Sequence, residues 1–241
     1  MKFDNKAIEK LNSEFGNKSP QEILEWSVNE MGNNIALATS FQAQGMVLID
    51  MLMKIDHKAR IFTVDTGRLN QQTYDVLDAV RSKYNNKIEV LFPDQKEVES
   101  MVKEHGMNLF YKGVDNRLMC CQIRKTNPLN KFLETVDGWI TSIRREQTAT
   151  RSGAEKFELD TLHGGILKIN PIVDWTEDMV WDYIKEYNVP YNKLHDMGYP
   201  SIGCEPCTRP IKKGEDPRSG RWWWESDSAK ECGIHFDHDS K

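Results

Sequence analysis

Short apolar runs alternate with helix-like segments along most of this chain, and that alternation limits the fold more than any other feature. Ile35-Ala36-Leu37-Ala38, Arg60-Ile61-Phe62-Thr63-Val64 and Ile88-Glu89-Val90-Leu91 have strand character. Between the first two, Met46-Val47-Leu48-Ile49-Asp50-Met51-Leu52 is apolar almost all round, the mark of a buried helix. Another helix is expected from near Gln71, and an earlier one through Ile23, Leu24, Trp26 and Val28. Strand, helix, strand, helix, strand reads as an α/β fold, a parallel sheet flanked by helices. Trp139-Ile140-Thr141-Ser142-Ile143 and Ile166-Leu167-Lys168-Ile169 add two strands. After them comes a helix opened by Asp174 or Thr176, with Val180, Ile184 and Tyr187 on one face.

Ligands of parallel sheets bind beyond the carboxyl ends of the strands. Two polar turns fall there, Thr39-Ser40-Phe41-Gln42-Ala43-Gln44-Gly45 and Asp65-Thr66-Gly67, and this location alone raises Ser40 and Thr66 above ordinary turn residues. The strand at 139–143 runs into Arg144-Arg145-Glu146-Gln147-Thr148-Ala149-Thr150-Arg151. Guanidinium forks match phosphate oxygens, so this stretch reads either as an anion clamp or as a solvated basic loop. A net charge of -5 weighs against a broad interface with nucleic acid, and no apolar run is long enough to span a bilayer. Neither partner is expected. Residues 208–241 change character, with Gly, Pro, Arg and Trp222-Trp223-Trp224 but little apolar periodicity; they read as a functional tail on an α/β domain of residues 1–207.

Four of the five cysteines form two tight pairs, Cys120-Cys121 and Cys204-Glu205-Pro206-Cys207, while Cys232 stands alone in Glu231-Cys232-Gly233-Ile234-His235. An odd count behind the polar start Met1-Lys2-Phe3-Asp4-Asn5 does not suit a secreted disulfide scaffold. A cytoplasmic setting is expected, where clustered thiols bind metal or do redox chemistry. The Cys-x-x-Cys turn suits zinc, an iron-sulfur centre or a reversible redox pair. Adjacent cysteines are awkward ligands for one zinc ion and easier ones for a cluster, whose ligands bind different irons. Cys232 is inert if buried and a nucleophile if exposed near cations.

Taken together, the Ser40 turn, Asp65-Thr66-Gly67, Cys120-Cys121-Gln122-Ile123-Arg124-Lys125, Arg144-Arg145-Glu146-Gln147, Asp174-Trp175-Thr176, Cys204-x-x-Cys207 and Glu231-Cys232-Gly233-Ile234-His235 resemble the assimilatory sulfonucleotide reductases. The likeness is strongest to the bacterial iron-sulfur type that reduces adenosine 5'-phosphosulfate with thioredoxin. It implies a Rossmann-like, adenine-nucleotide alpha-hydrolase-like fold with a C-terminal catalytic tail. It also implies one [4Fe-4S] cluster per chain, held by Cys120, Cys121, Cys204 and Cys207. Lys125 then lies between cluster and substrate, Arg218 and Arg221 face the phosphosulfate, and Arg144 and Arg151 are further substrate arginines. Ser40 and Thr66 contact the nucleotide, and His235 joins the substrate-binding set, three residues from the nucleophile Cys232.

The implied reaction is thiolate attack by Cys232 on the substrate sulfur, loss of AMP, and release of sulfite from the S-sulfocysteine by thioredoxin or a similar dithiol protein. Homo-oligomers occur among such enzymes. A reductase of 3'-phosphoadenosine 5'-phosphosulfate is the nearest alternative, but it typically lacks the four paired cysteines; dual use of both substrates is a variant of it. A remoter alternative is an ATP-using pyrophosphatase-loop enzyme with a structural zinc. Such enzymes carry Ser-Gly-Gly-x-Asp-Ser where this chain has Ser40-Phe41-Gln42-Ala43-Gln44-Gly45. Ser142 stands where a glycine often precedes the paired arginines.

Overall fold

The computed structural model describes residues 3–225. Its strands are β1 (Ile35–Ala38), β2 (Arg60–Val64), β3 (Glu89–Leu91), β4 (Gly138–Ile140), β5 (Phe157–Asp160) and β6 (Ile166–Ile169), in the order β3-β2-β1-β4-β6-β5. β1 runs parallel to β2 and β4, and β4 parallel to β6, while β5 pairs antiparallel with β6. The helices are α1 (Asn5–Phe15), α2 (Pro20–Met31), α3 (Ala43–Ile55), α4 (Gln71–Tyr84), α5 (Gln95–His105), α6 (Val114–Cys121), α7 (Asn127–Leu133) and α8 (Glu177–Glu186). The chain forms two compact units that interleave along it. One comprises the chain up to Thr63, Asp75–Glu89 and Leu133–Tyr191; the other comprises Val64–Tyr74, Val90–Phe132 and the described chain from Asn192 onward.

Local chemistry explains the first unit. Asp4 caps α1 by accepting from Ala7 N at 2.8 Å, and Ser19 and Glu22 close a capping box on α2 with Pro20 at its first position. Ile35, Ala36 and Leu37 of β1 and Trp139 and Ile140 of β4 are all buried, as central parallel strands covered on both faces must be. The helix expected from Met46 is α3, buried almost all round. Its Met46, Leu48, Ile49 and Leu52 share one core with Leu37 of β1 and with Val180 and Ile184 of α8.

Two local expectations change, and one strand is added. The strand expected over 139–143 ends at Ile140; Thr141 N still donates to the Ile169 carbonyl at 2.8 Å, and just beyond it the Thr141 hydroxyl accepts from Ile143 N at 3.4 Å, a local bond that competes with further pairing. β5 was not foreseen: Phe-Glu-Leu-Asp offers only two apolar residues amid charge. Its pairing is tertiary, with Glu158 opposite Lys168 and Phe157 packed on Phe15 and Trp26. On α8, which Thr176 caps through Met179 N at 3.2 Å, the buried face is Val180, Tyr183 and Ile184. Tyr187 follows the last helical residue and is 44% exposed, with its ring against that of Tyr183.

Asp50 is a polar residue on the otherwise apolar α3. Its carboxylate accepts from Tyr84 Oη at 2.7 Å and Tyr183 Oη at 2.9 Å and meets Lys54 Nζ at 2.6 Å. Burial pushes its pKa up, but the bonds from Lys54, Tyr84 and Tyr183 outweigh burial and hold it below the ordinary value. Asp50→Asn removes the charge that these donors face and is expected to cost about 2 kcal/mol. A lowered folded pKa means that this stability is present above the ordinary carboxylate range and is lost as pH falls through the folded value. Denaturant titrations of both proteins should therefore differ at neutral pH and start to converge as pH falls below about 4, closing only below the lowered folded value. A gap that persists undiminished into that acid range would show the stabilisation to be uncharged packing.

Candidate active site

In the first unit the chain leaves β1 through Thr39-Ser40-Phe41-Gln42. Phe41 sits in the left-handed region at φ 56°, a conformation that non-glycine residues rarely adopt, with its side chain wholly buried. Its N–H donates to Thr39 Oγ1 at 3.0 Å, and Gln42 Nε2 donates to Ser40 Oγ at 3.0 Å. Gln42 makes no side-chain cap on α3. A Cβ on Gly45, in the first turn of α3, would lie 2.9 Å from Thr39 Oγ1 and 3.9 Å from Ser142 Oγ. The turns after β1 and β4 thus meet at the helix start, where sheet order passes from β2-β1 to β1-β4, the switch point at which such folds bind ligands.

The basic loop after β4 is built into the unit and is not merely solvated. Arg144 is buried, with Nη1 bonded to Glu146 Oε1 at 3.3 Å and to the Trp175 carbonyl at 3.2 Å. Gln147 Oε1 accepts from Arg144 N at 3.1 Å and from the Arg151 guanidinium, and Arg145 Nε donates to the Ala154 carbonyl at 2.7 Å. Ser40, Arg144 and Arg151 all belong to this unit.

The second unit gathers the cysteines. After β2, Asp65 Oδ1 accepts from Gly67 N at 2.8 Å and from Tyr74 Oη at 3.0 Å, and Gly67 takes φ 69°, which suits glycine. Thr66 Oγ1 lies 3.2 Å from Cys204 Sγ, while Glu205 N donates to the Arg68 carbonyl at 2.8 Å. The Cys204–Cys207 turn is thereby fastened to the Thr66 turn. Cys120 and Cys121 end α6, and a π-helical turn, Gln122–Thr126, follows. Such a turn re-aims side chains relative to a continuous α-helix. It carries half-buried Lys125 and buried Arg124, whose Nη1 donates to the Thr66 carbonyl at 2.9 Å.

Cys207 is 8% exposed in an apolar cluster with Met101, Leu109, Phe110 and Trp222, and Cys120 and Cys204 pack against it. Burial pushes the Cys207 thiol up to about 12 and raises that of Cys120. Negative charge on Cys204 raises both further, while Arg124 opposes the rise at Cys120, and Arg221 and Arg117 oppose it at Cys207. Buried soft donors that repel one another as thiolates, ringed by guanidinium groups, fit an anionic cluster with thiolate ligands. Cys121 is half-buried beside Cys120. Among the described residues no three His, Cys, Asp or Glu side chains meet at the spacing of a single-ion site.

The start of the tail closes this unit. Arg221 pairs with Thr208 as an isolated β-bridge, and its guanidinium lies 4.6 Å from the centre of the Trp222 ring. Arg221 N donates to the Arg218 carbonyl at 2.9 Å, and Trp222 N to the Cys207 carbonyl at 3.1 Å. Sequence reasoning overlooked three residues here. Arg124 stood in plain view next to Lys125. Arg117 and Glu225 form a buried pair at 2.7 Å across a long stretch of chain, and Arg117 also stacks on Trp222 at 4.5 Å, contacts that no local pattern signals. Cys232 and His235 lie outside the described residues. Among the described residues no helix is long and apolar enough to cross a membrane.

Residues 34–210 match the phosphoadenosine phosphosulfate reductase domain. The chain is 47% identical to the adenosine 5'-phosphosulfate reductase of Burkholderia cepacia, over 87% of this chain and 83% of that protein. It is 43% identical to the enzyme of the same name from Pseudomonas aeruginosa strain LESB58, over 93% and 85%. A crystal structure of phosphoadenylyl-sulfate reductase from Candida auris, a phosphate complex, superposes with a TM-score of 0.76 at 29% identity, covering 88% of this chain and 99% of that one. The fold is the expected adenine-nucleotide alpha-hydrolase-like one. With a domain match across most of its length and relatives this similar, the chain belongs to the phosphoadenosine phosphosulfate reductase family.

Proposed function

We propose that the protein reduces adenosine 5'-phosphosulfate to sulfite and AMP in assimilatory sulfate reduction, in the cytoplasm, with thioredoxin or a similar dithiol as electron donor. The observation that carries this reading is the packing of Cys120, Cys204 and Cys207 in one buried, arginine-ringed cluster, in a chain whose relatives bear that enzyme's name. A [4Fe-4S] cluster held by Cys120, Cys121, Cys204 and Cys207 would supply a rigid frame and a fixed local field.

The chain's own residues do the rest. Ser40 and Thr66 bind the nucleotide, and Arg144 and Arg151 add charge-assisted bonds to it. A phosphosulfate repels an incoming thiolate, so Lys125, Arg218 and Arg221 neutralise the sulfate and the departing phosphate. Cys232, on the tail of residues 208–241, attacks the sulfur as a thiolate, with His235 three residues on to bind substrate and tune the thiol. The new bond is Cys232 Sγ to sulfur, the broken one is sulfur to the bridging oxygen, and AMP leaves with that electron pair. One donor thiolate then attacks Cys232 Sγ and expels sulfite, leaving a mixed disulfide. The second donor thiol resolves it, so the donor is oxidised to a disulfide and Cys232 returns as a thiol.

Sulfite release with thioredoxin, measured on adenosine 5'-phosphosulfate and on its 3'-phosphorylated form, tests the reading. A kcat/KM at least about tenfold higher for the substrate without the 3'-phosphate is expected, the scale of one unmatched charged group in the site. A reversed preference would assign the chain to the other substrate class, and equal use to the dual-substrate variant.

A further inference from the structure

We infer that Gly203 is a positioning residue for this reaction: having no side chain, it leaves the berth in which the Arg221 guanidinium lies against Trp222. The inference rests on the reading of Arg221 as an anion-binding residue. A Cβ on Gly203 would stand 2.3 Å from Arg221 Nη2, 2.5 Å from Cζ and 2.8 Å from Nη1, closer than carbon and these atoms can approach. The backbone does not demand glycine, because φ of Gly203 lies outside the left-handed region. The space demands it.

What yields to an added methyl group decides the consequence. The Gly203 backbone is fastened on both sides: its carbonyl accepts from Asn70 Nδ2 at 3.2 Å, Ile202 is buried, and Glu205 N is tied to the Arg68 carbonyl. The Arg221 backbone is equally held, by the bridge to Thr208 and by its bond to Arg218. Trp222 is buried, tied through its N–H to Cys207, and its ring also carries the Arg117 guanidinium that Glu225 pins. The guanidinium of Arg221 is the mobile party. Its Nε is buried and has no hydrogen-bond partner among the described residues, so the head is placed there by shape and by the ring. A Cβ at position 203 therefore displaces the head while sparing the fold. A shift of about 1 Å in a positioning group can cost on the order of a hundredfold in rate.

The test is a double-mutant cycle on anaerobically purified holoenzyme, with kcat/KM for adenosine 5'-phosphosulfate, iron content and melting temperature measured for each protein. Gly203→Ala is expected to lose roughly ten- to a hundredfold in kcat/KM with iron and melting temperature unchanged, Arg221→Ala to lose a similar amount, and the double variant to be no worse than Arg221→Ala. If Gly203→Ala loses iron, combining it with Arg221→Lys, which removes the fork that the Cβ strikes, should restore the iron; failure to do so overturns the proposal. A Gly203→Ala loss that persists in full in the Arg221→Ala background overturns the berth alone. Full kcat/KM in Arg221→Ala overturns the anion reading beneath it, and the proposal with it.

Discussion

A Cys232→Ser variant should release no sulfite above background while keeping its iron, its fold and its affinity for the nucleotide. Four of the five cysteines are accounted for by the paired set, which leaves Cys232 as the remaining thiol for covalent chemistry. Two of the paired cysteines, Cys207 and Cys120, are poor nucleophile candidates on physical grounds. Cys207 is buried and its thiol is pushed up to about 12, and burial also raises that of Cys120, so neither presents a ready thiolate to solvent or to a protein donor. With the natural chain and no reductant, the reaction should halt at the covalent stage, and the peptide holding Cys232 should gain about 80 Da, the mass of an added sulfite-derived group. Mass spectrometry after proteolysis reads this directly. An adduct on Cys204 or Cys207, or sulfite from the Cys232→Ser protein, reverses the assignment of roles.

Replacing Cys120, Cys121, Cys204 or Cys207 singly with Ser should lower bound iron from about four per chain to a small fraction of that, and abolish activity with it. The reasoning differs by position. Cys207 lies in an apolar cluster with Trp222, so its loss should loosen the root of the tail as well. Cys204 meets the Thr66 hydroxyl, so its loss should also disturb the turn that follows β2. Cys121 is the sharpest trial, because it packs less deeply than Cys207, and a serine there has the least reason to disturb folding. Iron and labile sulfide assays of anaerobically purified protein decide the matter: full iron in Cys121→Ser would remove that residue from the ligand set. Cys207→Ala, which keeps the apolar character of the position, separates loss of a ligand from the cost of burying a hydroxyl.

Much of the frame was legible because it is written in local pattern. β1, β2 and β6 occupy the expected residues, α4 begins at Gln71, and the apolar run at 46–52 is the heart of α3. A strand covered on both faces needs a continuous apolar run, and a buried helix needs apolar residues all round; both leave marks a few residues long. The turns that hold Ser40 and Thr66 follow from where those strands end. β5 escaped notice because its Phe157 and Leu159 gain meaning only from their partners on β6 and, for Phe157, from Phe15 and Trp26.

The sequence alone determined the class of fold, the two cysteine pairs, the separate Cys232 and the basic runs, since each is a matter of residue type and spacing. Tertiary structure alone decided that Cys207 is the buried member of its pair and that Arg144 is locked by Glu146 and Trp175. It also decided that Arg124 reaches back to Thr66, and that Gly203 must stay bare for Arg221 to lie on Trp222. The physical reason is that burial, charge compensation and steric exclusion depend on which atoms the fold brings within a few ångströms. Residues far apart in the chain carry no local sign of meeting.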